Sequence, residues 1–460
     1  MENKEYYVDR HNEEKIEFGL DKIYKLLNVM GCPQDKLKVI HIAGTNGKGS
    51  VSNYIMYILA YAGFKVGKIS SPVVFSKMEF AQIATLKLVN NKKNISECEY
   101  YVDIVDANEE KFNRLVDKYK LNIEQIKPSG YEIQIAFSLE YLLEEKCDIV
   151  IVETGMGGSL DATNVFKRTL CDVLTSISID HIGMIGNNLE EITECKCGII
   201  TEKGSVVTTS SNNEIMDIIK NRCSRCEAYI YMADMSQVTN IKLQLNNNSF
   251  MYGQESYVIS LNGRHQIENA IIAIKVIEVL RENGYDISHD MLVRGLKETK
   301  QKGRCDIVYR TNRTAVIADG AHNESGARCL VRSIEDYMDI DNSRVIYVLS
   351  IFKDKEYKKI ISNIVSNADE IWTFDTNNPR CMKSEELYDV VRKVISERKN
   401  DDISTEIIVK NIESIDKFKK NIKEIEQTNE SDIQLYDNRK NVIICAGSLS
   451  FMKEIYGVLV

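Results

Sequence analysis

Short β-branched runs and longer stretches of helical spacing follow one another along the chain. Residues 39–43, Val-Ile-His-Ile-Ala, form an apolar run bounded by glycine that reads as a buried strand, and residues 51–61 continue as a helix. Ahead of them, Ile16, Leu20, Ile23, Leu27 and Met30 recur at helical intervals until Gly31-Cys32-Pro33 stops the run. Residues 64–69 predict a second strand ending at Ser70-Ser71-Pro72, and the polar, charge-rich residues 91–127 predict a surface helix covering the sheet. A further helix is expected over 130–143, with Tyr131, Ile135, Leu139 and Leu142 as its apolar stripe. Residues 147–153, Cys-Asp-Ile-Val-Ile-Val-Glu, make the clearest central strand; 173–179 read as another strand and 189–200 as a helix. Over 205–260 strands alternate with polar turns, Asn246-Asn247-Asn248 reads as a hairpin tip, and a helix opens after residue 261. Residues 298–303 are polar and lack apolar periodicity, the mark of a linker. Beyond it, strands are expected at 315–318, 344–349, 370–374 and 442–445, separated by amphipathic helices. This alternation predicts an α/β protein: a P-loop-type, mostly parallel sheet domain over 1–297, then a smaller Rossmann-like α/β domain over 304–460.

Length agrees, since 460 residues exceed one ordinary core. With 43% hydrophobic and 28% charged residues the composition is that of a soluble globular protein. A formal net charge of −9 argues against a nucleic-acid or anionic-membrane partner, so any phosphate binding has to be local. The twelve cysteines show no repeated spacing and the opening Met-Glu-Asn-Lys-Glu lacks the apolar core of a secretion signal, so a reduced, cytoplasmic location is expected. Cys223-x-x-Cys226 poses zinc against free thiols, and without a second such pair thiols are expected. No window approaches the roughly twenty apolar residues of a membrane span.

Chemistry enters where the first strand breaks into Gly44-Thr45-Asn46-Gly47-Lys48-Gly49-Ser50. Glycines let backbone amides surround an anion, the helix N-terminus adds partial positive charge, and Lys48 supplies a full one. Ser50 can offer a hydroxyl to magnesium. The common P-loop pattern wants Ser or Thr directly after the lysine, where Gly49 stands, and an ordinary strand-to-helix turn is the alternative. Glu153, followed by Thr154-Gly155-Met156-Gly157-Gly158, ends a parallel strand where open α/β sheets place ligands; it either orients a metal-bound water or incoming amine, or caps the turn. Glu132 in a first helical turn is either a dipole-compensating carboxylate or a metal ligand, and His181 beside Asp180 is either a core histidine or a ligand.

The phosphate loop, the run Glu153-Thr154-Gly155-Met156-Gly157-Gly158-Ser159-Leu160-Asp161-Ala162-Thr163-Asn164, Asp180-His181, His265-Gln266-Ile267-Glu268-Asn269-Ala270 and Asp319-Gly320-Ala321-His322-Asn323 occur in one order. Together they resemble the folylpolyglutamate synthase and dihydrofolate synthase family, relatives of the Mur ligases. The resemblance implies that residues 44–50 bind ATP, with Asn269 at the adenine, Arg304 and Asp319 reaching ATP from across a closing cleft, and His322 near its phosphates. It makes Ser71, Glu132 and His181 ligands of two magnesium ions, and Lys48, Glu153, Lys196 and His322 the catalytic set. Lys196 aligns with a lysine carbamylated in many relatives, with an unmodified anion contact as the other reading; a monovalent cation is a further implied cofactor. Residues 19–33 look like the opening helix beside the pterin site. Val73-Val74, Glu79-Phe80 and Cys195 depart from the family's pattern. The implied activity is ATP-dependent ligation of L-glutamate to a folate or to dihydropteroate through an acyl phosphate, by a monomer. The alternatives are a Mur-type ligase on a cell-wall precursor, against which the early position of the phosphate loop argues, and a catalytically silent nucleotide-binding relative.

Overall fold

The computed structural model describes residues 19–89, 100–209, 212–338, 342–398, 407–427 and 440–459. They divide into two compact units, one comprising the chain through Ile241 with Ser249–Ile259 and Gln266–Thr299, the other Lys242–Asn248, Ser260–His265 and the chain from Lys300.

The first unit runs α1 (Asp21–Val29), β1 (Val39–Ala43), α2 (Lys48–Tyr61), β2 (Val66–Ile69), β3 (Ala81–Leu88), β4 (Tyr100–Asp106), α3 (Glu109–Ile126), α4 (Gly130–Glu144), β5 (Ile149–Glu153) and β6 (Cys171–Leu174). It continues with α5 (Leu189–Cys197), β7 (Ser205–Thr208), α6 (Asn213–Arg225), β8 (Tyr229–Met232), the meander β9 (Val238–Lys242), β10 (Asn248–Tyr252) and β11 (Glu255–Ile259), then α7 (His265–Glu282) and α8 (His289–Glu298). Among the described residues its main sheet has eight strands in the order β4-β3-β2-β5-β1-β6-β7-β8. The strands from β2 to β8 in that row are parallel, while β3 and β4 pair antiparallel at one end. From β1 the chain first moves one way, to β2, and after β5 it moves the other way, to β6. Strand order therefore reverses beside β1, which is where open α/β sheets hold ligands. Helix α2 leaves that point and is buried on all sides from Ser50 to Tyr61, as its near-uniform apolar sequence requires. Against it α8 packs so closely that a side chain on Gly295 would meet Ile58 Cα at 2.5 Å.

Several expectations need correction. The surface helix expected over 91–127 is two elements: β4 continues the sheet, and only Glu109–Ile126 is helical; residues 91–99 lie outside the described residues, as does Ile16 of the first helix. Nor is α3 a mere cover, because Phe112, Leu115, Val116, Tyr119 and Ile123 form a helical stripe within its charged sequence and enter the core. Strand β3 is not among the elements expected from the sequence. The strand expected over 173–179 ends at Leu174, because Thr175, Ser176 and Ser178 leave the sheet to bind the phosphate loop. Helix α6 also went unread; the side chain of Asn212 caps it and Ile215, Met216, Ile219 and Cys223 form its buried face. Burial pushes the Cys223 thiol up to about 11, and both it and Cys226 belong to an apolar cluster.

The second unit runs β12 (Asp306–Arg310), β13 (Thr314–Ala318), α9 (Glu324–Tyr337), β14 (Ser343–Leu349), α10 (Tyr357–Ile364), β15 (Glu370–Phe374), α11 (Ser384–Arg398), β16 (Ile408–Ile412), α12 (Ile415–Gln427), β17 (Lys440–Ala446) and α13 (Leu449–Leu459). Its sheet among the described residues is β12-β13-β17-β14-β15-β16, parallel but for β12. The expected strands are β13, β14, β15 and β17; the partly exposed β12 and β16 lack their dense apolar runs. No helix among the described residues is long and apolar enough to cross a membrane.

Candidate active site

The phosphate loop is held from behind by the segment that follows β6. Thr45 N donates to Ser176 O at 2.8 Å, Thr45 Oγ1 donates to Ser178 O at 2.9 Å, and Thr175 Oγ1 donates to Asn46 O at 2.8 Å. With loop carbonyls turned back toward these hydroxyls, the opening of α2 presents its first turn, whose amides have no acceptors within a helix. The loop leaves no room for side chains at its ends. Gly44 has φ +153° and a Cβ there would lie 1.8 Å from Thr175 Oγ1; Gly47 has φ +87° and a Cβ there would lie 2.4 Å from Asn269 Oδ1.

Two lysines converge on one carbonyl. Lys48 Nζ donates to Gly44 O at 2.9 Å and to Thr45 O at 3.3 Å, and Lys196 Nζ, from the last turn of α5, donates to the same Gly44 O at 2.9 Å. Burial, then the charge of Lys48, bring the Lys196 pKa down to about 7. α5 is in turn fixed by the glycine-rich run after β5, through Ser159 N to Cys195 O at 2.8 Å and Asn164 Nδ2 to Gly198 O at 3.2 Å. Glu153, buried at the end of β5, accepts a hydrogen bond from Ser52 Oγ one turn into α2.

Ser50 Oγ is buried and accepts from Gln266 Nε2 at 3.2 Å; Asn269 Nδ2 donates to Gln266 Oε1 at 3.0 Å, so the first turns of α7 back the loop. Ser71 lies in a cis peptide with Pro72 and hydrogen-bonds the Tyr131 hydroxyl. His181 is on the loop after β6 at φ +53°, not at a strand end, with its amide donating to Asp180 Oδ1 at 2.9 Å.

Glu132 requires correction as a metal ligand. Its Oε2 accepts from Ser129 N at 2.7 Å and Ser129 Oγ at 2.9 Å, closing a capping box, and its Oε1 accepts from Ile23 N at 3.1 Å. Both oxygens are committed to the start of α4 and the first turn of α1, so this carboxylate is a cap.

In the second unit, Asp319 follows β13. Its Oδ2 accepts from Cys305 N at 2.7 Å and its Oδ1 from Ala321 N at 2.8 Å, which joins the Gly303–Cys305 turn to the strand end. Burial raises its pKa and the neighbouring Arg304 opposes that shift. His322 shares this turn, with Nδ1 2.9 Å from Gly320 O.

One network went unread. Asp161 accepts from Met156 N at 2.7 Å, Thr163 N at 3.0 Å, Thr163 Oγ1 at 2.6 Å and the Tyr131 hydroxyl at 3.4 Å. Since Thr163 gives its only hydroxyl proton to Asp161, its oxygen accepts from His41 Nε2 at 3.0 Å, which fixes the proton on that nitrogen. Burial lowers His41 to about 3, so it stays a neutral imidazole. A histidine inside an otherwise apolar strand was the available signal.

The family model for the Mur ligase middle domain matches residues 42–277, and that for the Mur ligase glutamate ligase domain matches residues 303–448. The chain is 32% identical over 385 residues to a Bacillus subtilis dihydrofolate synthase/folylpolyglutamate synthase, covering 81% of this chain and 84% of that one. It belongs to the folylpolyglutamate synthase and dihydrofolate synthase family of Mur ligases. That family consists of ATP-dependent ligases, and the protein is therefore an enzyme of that kind. A folylpolyglutamate synthase from Thermotoga maritima superposes with a TM-score of 0.74 at 28% identity, over 97% of this chain and 94% of that one. A Mycobacterium tuberculosis folylpolyglutamate synthase, solved with ADP and AMPPCP, shares the fold at a TM-score of 0.80 and 21% identity, over 96% and 95% of the two chains.

The packing behind the loop sets a test. Gly44→Ala is expected to weaken binding of a fluorescent ATP analogue by roughly tenfold or more, because its Cβ has to displace Thr175. Unchanged affinity in a folded variant contradicts this geometry.

Proposed function

We propose that the protein joins L-glutamate to a folate, to dihydropteroate, or to both, at the expense of ATP. The observation that carries this reading is the meeting, where strand order reverses, of Lys48 and Lys196 on the phosphate loop with Glu153 beside it. The substrate carboxylate would attack the γ-phosphate to give an acyl phosphate, which the glutamate amine then opens with loss of phosphate. Lys48 and the first turn of α2 offset the charge developing on the transferred phosphoryl group. Arg304, Asp319 and His322 are assigned to nucleotide contacts, as the family resemblance implies.

Magnesium is the cation that the family resemblance implies. Among the described residues no cluster of three or more His, Cys, Asp or Glu side chains could cage a metal, and magnesium needs none, because it keeps waters and takes phosphate oxygens beside one or two carboxylates. Ser71, Glu153 and His181 would hold it; it would supply charge neutralisation at the phosphates.

The surroundings of Lys196 favour its carbamylation. Two ammonium groups on one carbonyl repel each other; addition of the neutral Lys196 amine to carbon dioxide, which forms an N–C bond and releases one proton, gives a carbamate and replaces that repulsion by attraction to Lys48. The reacting form is the neutral amine, whose share rises as pH passes upward through about 7.

Lys48→Ala is expected to lower glutamate-dependent ADP release by about a hundredfold or more while the circular dichroism spectrum is unchanged; near-normal turnover overturns the assignment. With ¹³C-bicarbonate, a carbamate signal is expected to grow between pH 6 and pH 8 in the native protein and to be missing from Lys196→Arg. Equal signals in both place the carbamate elsewhere.

A further inference from the structure

Beside Glu153 lies a second buried charge that the mechanism above does not use. Lys68 on β2 pairs with Ile151 of β5 and with Gln82 of β3. Side chains two apart on a strand share a face, so Lys68 and Glu153 project to the same side of the sheet, one diagonal step apart. That side is covered by α2, where consecutive residues receive them: Ser52 donates to Glu153, and Asn53 Oδ1 accepts from Lys68 Nζ at 2.9 Å.

Lys68 is 7% exposed, and its ammonium donates to an uncharged amide. Burying such a charge is costly unless carboxylates offset it. Three do so from nearby: burial lowers the Lys68 pKa, while Glu153, Glu79 and Asp106 raise it. Each of these acids is anchored. Glu79 Oε1 accepts from Val74 N and, at 2.9 Å, from Phe75 N, and Asp106 Oδ1 accepts from Gln82 Nε2 at 2.9 Å. Lys68 thus stands between the acid at the phosphate loop and the acid that shapes the loop after Pro72.

We propose that Lys68 is a positioning residue, a resident cation that holds Glu153 toward α2 and weakens its pull on a free divalent ion, so that the metal enters with the nucleotide. This rests on the reading of Glu153 as the carboxylate that receives the cation. A fixed positive charge one side chain away opposes a second cation there, and that opposition is offset when the nucleotide's phosphates arrive with the metal.

Mn²⁺ binding to the nucleotide-free protein, followed by electron paramagnetic resonance, tests it. Lys68→Met is expected to bind Mn²⁺ tighter than the native protein by roughly tenfold or more, and Lys68→Arg, which keeps the charge, to stay within about twofold. Asn53→Asp, which neutralises the ammonium without removing it, is expected to tighten binding in the same direction and serves if Lys68→Met does not fold. Equal Mn²⁺ affinity in the native protein and in whichever of these two folds overturns the proposal. Glu153→Gln separates the two failures: if it abolishes Mn²⁺ binding while the other variants change nothing, only the role of Lys68 falls; if it leaves Mn²⁺ binding intact, the reading of Glu153 falls first.

Discussion

The N-terminal site depends on the way β6 stops. At Leu174 the chain gives up its place in the sheet, and the hydroxyls of Thr175 and Ser176 take the Asn46 carbonyl while Thr45 bonds the backbone of Ser176 and Ser178. Those contacts bind the phosphate loop to a neighbouring strand, so its shape does not rely on a ligand being present. A loop fixed beforehand loses little freedom when an anion binds, which is the physical content of preorganisation. The same pinning explains why Gly44 cannot carry a side chain.

Around this loop charges are placed with little slack. Lys48 and Lys196 share a carbonyl on one side, and Glu153 and Lys68 stand on the sheet face under α2 on another. A buried excess of either sign is unstable, so the protonation of Lys196 and the charge of a bound nucleotide belong to one electrostatic balance. The neutral His41 donates from Nε2 to Thr163, whose hydroxyl donates to Asp161, and Asp161 orders the run after β5 that fixes α5.

Patterns of one dimension were legible in the sequence. The buried strands β1 and β5, the phosphate loop and the run from Glu153 to Asn164 are dense local signals, and the order of motifs identified the family. What escaped was set by tertiary contacts. Ser176 and Ser178 are compatible with a strand until the loop they bind is in place, and α3 and α6 looked like polar surface because their apolar stripes are diluted by charge. Glu132 shows the limit most clearly. A carboxylate in a first helical turn serves a cap and a cation equally well on paper, and only the positions of Ser129 and Ile23 decide for the cap.

The central claim is that the site transfers phosphoryl from ATP to a substrate carboxylate before glutamate enters. It is tested most directly by supplying dihydropteroate or tetrahydrofolate with ¹⁸O at both oxygens of the reacting carboxylate, together with ATP and L-glutamate, and analysing the released phosphate by mass spectrometry. One ¹⁸O atom is expected in the phosphate for each amide formed. Phosphate free of ¹⁸O while the amide still forms would contradict it.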